Sequence, residues 1–154
     1  MTVAKILKKP SLDRADLSAL IGTLEPQERQ ALYNAAYAVK AKEVGRVAYY
    51  RGLLEFSNQC IKNCLYCGIR RDNTQVERFT TSREDILAMA KWAYDNRYGS
   101  LTLQSGERQD EEFTKEVEDL IHAIKDLSHG ELGLTLCVGE QSPETNQRWF
   151  EAGA

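Results

Sequence analysis

The segment from Leu101 to Glu140, LTLQSGERQDEEFTKEVEDLIHAIKDLSHGELGLTLCVGE, decides the fold class, because two apolar runs flank one amphipathic helix pattern. Apolar residues recur at helical spacing from Phe113 to Leu127, which predicts a helix with one buried face, ended by Gly130. Leu101–Leu103 and Leu132–Val138 are short and apolar, as buried parallel strands are. The segment therefore predicts a β-α-β unit with a crossover helix.

The same alternation extends over both neighbouring segments. Val47–Phe56 is rich in β-branched, aromatic and aliphatic residues and predicts an earlier strand. Ser82 predicts the start of the helix that follows and Gly99 its end, whereas Ser142 predicts the start of a last helix. Strands that alternate with helices indicate a parallel sheet with right-handed crossovers. Both a doubly wound sheet and a (β/α)8 barrel begin in this way, and the strand pattern alone leaves the two folds open.

The first part of the chain has a different pattern and predicts helices only. Ser11 is a candidate N-cap of a helix that Gly22 ends, and Pro26 opens a second helix that ends before Gly45. We therefore divide the chain into a helical segment, residues 1–45, and an α/β segment, residues 46–154.

The composition argues against several classes of function. The chain has 154 residues, 42% hydrophobic and 28% charged, and its net charge of −3 argues against binding to nucleic acid. No apolar stretch approaches the roughly 18 residues that a membrane span needs, and the first residues do not resemble a signal peptide. We therefore expect a cytoplasmic protein whose thiols stay reduced.

Polar residues follow each predicted strand. A loop with several cysteines follows the first strand, Ser105–Glu107 follow the second, and Gly139–Glu140 follow the third. The carboxyl ends of parallel strands meet at one edge of the sheet, where α/β folds have their active sites. We therefore expect these segments to form one site. Glu107 and Glu140 also fit a second role, because carboxylates are favourable in the first turn of a helix.

The spacing of the cysteines indicates an iron–sulfur site. Cys60, Cys64 and Cys67 lie within eight residues, whereas Cys137 stands alone in an apolar strand, as a small core residue would. A structural zinc site generally has four protein ligands, often in two pairs, and this segment has neither a second pair nor a histidine. Three thiolates on a cubane of four irons leave one iron open to a small molecule. A module without enzymatic activity, with Cys137 as a fourth ligand for a metal or an electron-carrying cluster, stays open as an alternative.

The motif C-x3-C-x2-C with an aromatic residue before the last cysteine, here CIKNCLYC, resembles that of the radical SAM superfamily, whose members use S-adenosyl-L-methionine (SAM). The run EFSNQCIKNCLYCGIRRDN at 55–73, with LQSGE at 103–107 and VGE at 138–140, is most similar to the HydE maturases of iron-only hydrogenases. The resemblance covers residues 51–154. Methylornithine synthase and biotin synthase are alternatives within the superfamily, and LQSGE favours HydE.

The resemblance implies an α/β fold: N-terminal helices followed by the first three β/α units of a (β/α)8 TIM-type barrel. It also implies a 4Fe–4S cluster on Cys60, Cys64 and Cys67, whose open iron takes the amino and carboxylate groups of SAM. Reductive cleavage would then give methionine and a 5′-deoxyadenosyl radical. Besides the cluster ligands, the resemblance implies a set of SAM-binding residues in this chain: Tyr66, through its backbone at the adenine; Ser105, Gly106 and Glu107, at the methionine amino group; Cys137, where HydE has a serine; and Glu140.

The resemblance also implies partners and a longer barrel. The partners would be a small-molecule or organometallic substrate, a reductant such as a ferredoxin or flavodoxin, and other hydrogenase maturation proteins, with neither nucleic acid nor a membrane. A barrel of this class needs on the order of 250 residues. We therefore expect an N-terminal part of a barrel, with further SAM contacts beyond Ala154. We also expect the isolated chain to have an exposed strand edge and impaired activity.

Overall fold

The computed structural model describes residues 2–23 and 25–154, which form two compact units, Met1–Ala48 and Tyr49–Ala154. In chain order the helices and strands of the described residues are α1 Val3–Ile6, α2 Arg14–Ile21, α3 Pro26–Glu43, β1 Arg51–Ser57, α4 Arg83–Asp95, β2 Ser100–Ser105, α5 Glu111–Leu127, β3 Gly133–Cys137 and α6 Pro143–Ala152. None of these helices is long and apolar enough to cross a membrane.

The first unit is helical, as predicted, but its second helix begins later than expected. The predicted N-cap Ser11 is wrong, because Asp13 caps α2 through a capping box with Asp16. The Asp13 carboxylate accepts from the Asp16 backbone N–H at 2.8 Å, and the Asp16 carboxylate accepts from that of Asp13 at 3.2 Å. The end of α2 at Gly22 and the start of α3 at Pro26 agree with the prediction.

The second unit contains a parallel sheet in the order β1-β2-β3, so the predicted α/β class is confirmed. Strand β1 begins at Arg51 and not at Val47, because its partner β2 begins at Ser100, opposite Arg51. Helix α4 begins after its N-cap Ser82 as predicted, but it ends at Asp95, before the expected stop at Gly99.

One face of the sheet packs against the helices and forms the core. The predicted apolar face of α5 is buried, and the Phe113 ring stacks on Phe56 of β1 with 6.2 Å between centroids. The main buried residues that these elements share are Leu54, Phe56, Ile86, Leu101, Leu103, Phe113, Val117, Leu120, Ile121 and Ile124. Strand alternation turns the other side chains away from the helices, so Leu53, Glu55 and Cys137 are exposed. The carboxyl ends of all three strands lie at one edge of this sheet.

Candidate functional site

The cysteine loop, residues 58–77, leaves the end of β1 and returns beside it. Ser57 pairs antiparallel with Thr80, and the Thr81 N–H donates to Phe56 O at 2.7 Å. The buried Asn58 amide holds the returning chain, since its Nδ2 donates to Glu77 O at 2.7 Å and its Oδ1 accepts from the Phe79 N–H at 2.9 Å. The two ends of the loop are therefore fixed together at the edge of the sheet.

The Arg78 guanidinium ties the starting limb of the loop to its closing limb. Nη1 donates to Asn58 O at 2.6 Å and to Ile69 O at 2.8 Å, and Nη2 donates to Arg70 O at 2.7 Å. Nη2 also lies 3.5 Å from Arg71 O and 3.4 Å from Asn73 O. All of these acceptors are main-chain carbonyls, so Arg78 fixes the path of the backbone.

The three cysteines of this loop carry free thiols, with Cys60 and Cys67 half-buried and Cys64 exposed. The Cys67 N–H donates to Cys64 O at 3.0 Å, which closes a tight turn between these two residues. Within residues 2–23 and 25–154, no group of three or more His, Cys, Asp or Glu side chains stands close enough to hold one metal ion. The donor set nevertheless fits a cubane cluster, because three thiolates are its usual kind of ligand and each binds a different iron.

The turn after β2 lies directly against the start of the cysteine loop. The Ile61 N–H donates to Glu107 O at 2.9 Å, and the Glu107 N–H donates to the Cys60 sulfur at 3.4 Å. A Cβ at Gly106 would lie 2.1 Å from Gln59 O, which is a backbone atom. Glycine is therefore needed at 106 for the two segments to meet, and the predicted approach of Ser105–Glu107 to the cysteines is present.

Glu107 and Glu140 are brought together by Lys62, a residue inside the cysteine motif. Its Nζ lies 3.2 Å from Glu107 Oε1 and 3.1 Å from Glu140 Oε2. The hydrogen bonds to Glu140 and then to Glu107 raise the pKa of the Lys62 ammonium above its ordinary value. The Gln109 amide adds a second bridge, donating to Glu107 Oε1 at 2.8 Å and to Glu140 O at 3.0 Å.

The two acidic residues differ in their surroundings. Glu107 is buried, and the alternative that it caps α5 is wrong, because Asp110 is the N-cap of that helix. Glu140 is exposed, and Ser142 caps α6. Beside them, the Ser105 hydroxyl donates to Gly106 O at 2.7 Å and so orders the turn between β2 and Glu107.

Tyr66 and Cys137 lie apart from this cluster of contacts. Tyr66 is 95% exposed on the cysteine loop. The interpretation of Cys137 as a core residue is wrong, because it is exposed on the sheet face that points away from the helices. It lies opposite Gln104, which lies opposite Glu55, so two strand spacings, about 10 Å, separate the Cys137 backbone from β1.

Sequence reasoning missed four residues that order the site. No motif or periodicity in the sequence distinguishes these residues from other polar residues; they are Asn58, Lys62, Arg78 and Gln109. Lys62 offered the one usable signal, since a lysine two residues after a predicted ligand is well placed to neutralise carboxylates from the neighbouring strand ends. Arg78 lies eleven residues after Cys67, and its role follows only from the folded path of the loop.

Comparison with known proteins identifies the family. The [FeFe] hydrogenase maturase subunit HydE of Thermotoga maritima is 35% identical over 158 residues, which cover 100% of this chain and 44% of that protein. The chain belongs to the radical SAM superfamily. Biotin synthase of Staphylococcus aureus is 27% identical over 99% of this chain and 42% of that protein. The chain thus spans less than half the length of these curated relatives. No protein-family model matches it.

Solved structures of superfamily members show the same fold. Methylornithine synthase (PylB) aligns with a TM-score of 0.78 and 21% identity, over 99% of this chain and 44% of that one. The FeFe-hydrogenase maturase HydG from Carboxydothermus hydrogenoformans aligns with a TM-score of 0.78 and 22% identity, over 97% of this chain and 35% of that one. The three β/α units therefore correspond to part of a TIM-type barrel, as the motif resemblance implied.

Proposed function

We propose that this chain provides the cluster-binding and SAM-binding part of a HydE-like radical SAM enzyme. Cys60, Cys64 and Cys67 would hold the 4Fe–4S cluster. One observation carries the proposal: the loop with these three thiols lies at the carboxyl edge of the sheet, hydrogen-bonded through Cys60 to the turn after β2. We also propose that the chain divides into a helical segment, residues 1–45, and a barrel segment, residues 46–154.

The contribution of the chain to the cluster is to place and stabilise the thiolates. The Glu107 N–H donates to the Cys60 sulfur, and such bonds tune the reduction potential of iron–sulfur clusters. When bound, the reduced cluster would supply the electron that cleaves SAM to methionine and a 5′-deoxyadenosyl radical. Exposed Tyr66 and Leu65 leave the outer side of the loop accessible to a cofactor.

The turn Ser105–Glu107 would receive the amino group of SAM. A buried carboxylate is a strong acceptor for an ammonium group, because little water competes for it. Lys62 and Gln109 both reach Oε1 of Glu107, and the ammonium group of SAM would bind at Oε2. Glu140 and Cys137, which follow and end β3, would complete the proposed SAM contacts at the same edge.

The substrate and partners are proposed from the relatives. The 35% identity to HydE, against 27% to biotin synthase, favours hydrogenase maturation over biotin synthesis. A small-molecule or organometallic substrate, a ferredoxin or flavodoxin as reductant, and other maturation proteins would then be the partners.

The test is anaerobic reconstitution with iron and sulfide, followed by electron paramagnetic resonance of the reduced protein with and without SAM. We expect a 4Fe–4S signal that changes when SAM is added. Substitutions Cys60→Ala, Cys64→Ala and Cys67→Ala should each abolish the cluster. The matched control is Cys137→Ala, which should retain it.

Two results would contradict this proposal. A signal that SAM leaves unchanged would point to an electron carrier. Stoichiometric zinc binding that Cys137→Ala abolishes would establish a four-cysteine site.

A further inference from the structure

One side chain outside the cysteine motif, that of Arg78, binds the backbone both before and after the three predicted cluster ligands. The carbonyl of Asn58 lies before Cys60, and the carbonyls of Ile69 and Arg70 lie after Cys67. The Arg78 guanidinium donates to all three carbonyl oxygens, at 2.6, 2.8 and 2.7 Å. Arg78 therefore joins the two ends of the segment that carries the three cysteines.

We propose that Arg78 is a positioning residue that sets the cysteine loop in its cluster-binding shape before iron arrives. The proposal rests on the proposed function for the identity of the metal group, but the part concerning the shape of the loop is testable without any metal.

The chemistry of the guanidinium suits this role. It presents five N–H donors in a planar fork, so it can bind several carbonyls from different directions at once. A lysine ammonium is a compact point charge and would not reproduce this fork. Among the ion pairs of the described residues, none includes Arg78. Its charge therefore strengthens bonds to carbonyls, and no carboxylate among the described residues pairs with it.

Apolar burial contributes little to the loop. Ile61, Leu65 and Tyr66 are exposed, so few apolar contacts hold the loop in one conformation. Ordering a long segment costs conformational entropy for each residue fixed. The bonds of Arg78 to both limbs offset that cost, because they join the limbs directly. Without them, Cys60 and Cys67 should exchange between half-buried and exposed states.

The experiment measures thiol reactivity in the metal-free protein with a maleimide, resolved by cysteine through peptide mass mapping. In the unsubstituted chain, half-buried Cys60 and Cys67 should react more slowly than exposed Cys64. In Arg78→Met we expect their rates to rise on the order of tenfold, since bonds to a charged donor are lost. Cys137, exposed on β3, is the internal control and should react at an unchanged rate.

The control variants separate positioning from a general loss of stability. Arg148→Met removes an arginine that pairs with Glu118 at 2.8 Å, far from the loop in sequence, and should leave all four labelling rates unchanged. Circular dichroism and thermal melting report whether each variant is folded. Arg78→Met should also load less iron on reconstitution. If Arg78→Met does not fold, Arg78→Lys is measured in its place and should likewise show fast labelling of Cys60 and Cys67 and low iron loading.

Two outcomes would overturn the role of Arg78, and a third would separate that role from the proposed function. Unchanged labelling of Cys60 and Cys67 in folded Arg78→Met would show that the loop keeps its shape alone. Full restoration of slow labelling and iron loading by Arg78→Lys would show that charge, and not the fork, is what matters. If the unsubstituted chain binds no cluster while Arg78→Met still exposes the thiols, the proposed function fails and the positioning role stands.

Discussion

The sheet–helix core and the cysteine loop are adjacent, but different interactions hold them in place. The core is a continuous apolar contact between one face of the sheet and helices α4–α6, and its helix α5 is buried along a whole face. The loop has exposed apolar side chains, and it is held by hydrogen bonds from Asn58, Arg78 and Glu107. Core contacts therefore set the stability of this unit, and a few polar contacts set the shape of the site.

This difference predicts two kinds of variant. Substitutions in the core should lower the free energy of unfolding without a specific effect on the thiols. Substitutions at the loop contacts should change cluster binding more than stability, because each loop contact contributes only a small part of the total.

The largest expected effect is on stability, from Phe113→Ala in the core. Phe113 is 2% exposed and stacks on Phe56, so truncation leaves a cavity and should cost about 3–5 kcal/mol. Urea unfolding of the metal-free chain measures this. The matched control is Phe150→Ala, because Phe150 is 71% exposed and its loss should change stability by less than about 0.5 kcal/mol.

Equal effects of the two phenylalanine substitutions would contradict the assignment of the core to the contact between α5 and the sheet. A large effect of Phe150→Ala alone would place the stabilising contact on α6 instead.

The second expected effect is on the contact between the core and the loop, from Gly106→Ala. The new Cβ would lie 2.1 Å from Gln59 O and 2.8 Å from the Cβ of Cys60. Because a backbone atom cannot rotate away, the start of the loop must shift, at a cost of about 1–3 kcal/mol. Iron loading and the SAM-dependent change in the resonance signal should both be lost.

The control for this prediction is Gly68→Ala in the same loop, where a Cβ meets nothing within 4 Å. It should load iron normally. Normal loading of Gly106→Ala would show that the close approach of the two segments is not needed for the site.

The same division explains what could be predicted from the sequence. Burial of the α5 face follows from helical periodicity, and the strand ends follow from short apolar runs, so the sheet and its carboxyl edge were predictable. Cys137 was misinterpreted because an apolar strand has two faces. Only the register with Gln104 shows that its side chain lies on the face without helices. Arg78 and Asn58 both donate to carbonyls that the return of the chain brings near, and no local sequence pattern encodes this approach.

The smallest expected effect on stability comes from Lys62→Met, which separates electrostatics from backbone shape at the site. Lys62 links Glu107 and Glu140, and its partners raise the pKa of its ammonium. A raised folded-state pKa means that this stabilisation is fully present below the unfolded-state pKa of about 10.4 and is lost as pH rises through the folded-state value. Between neutral and alkaline pH, the unsubstituted protein should therefore lose this contribution as the Lys62 ammonium deprotonates, whereas Lys62→Met should lack it throughout this range.

Melting curves between neutral and alkaline pH measure the effect, with Lys115→Met as the control. Lys115 forms an exposed pair with Asp119 on α5, and such pairs contribute little. Slow labelling of Cys60 and Cys67 should persist in Lys62→Met, because the Arg78 bonds remain. Fast labelling would instead mean that the ion pairs of Lys62 at the strand ends shape the loop. It would contradict the view that hydrogen bonds to its backbone hold the loop while apolar packing holds the core.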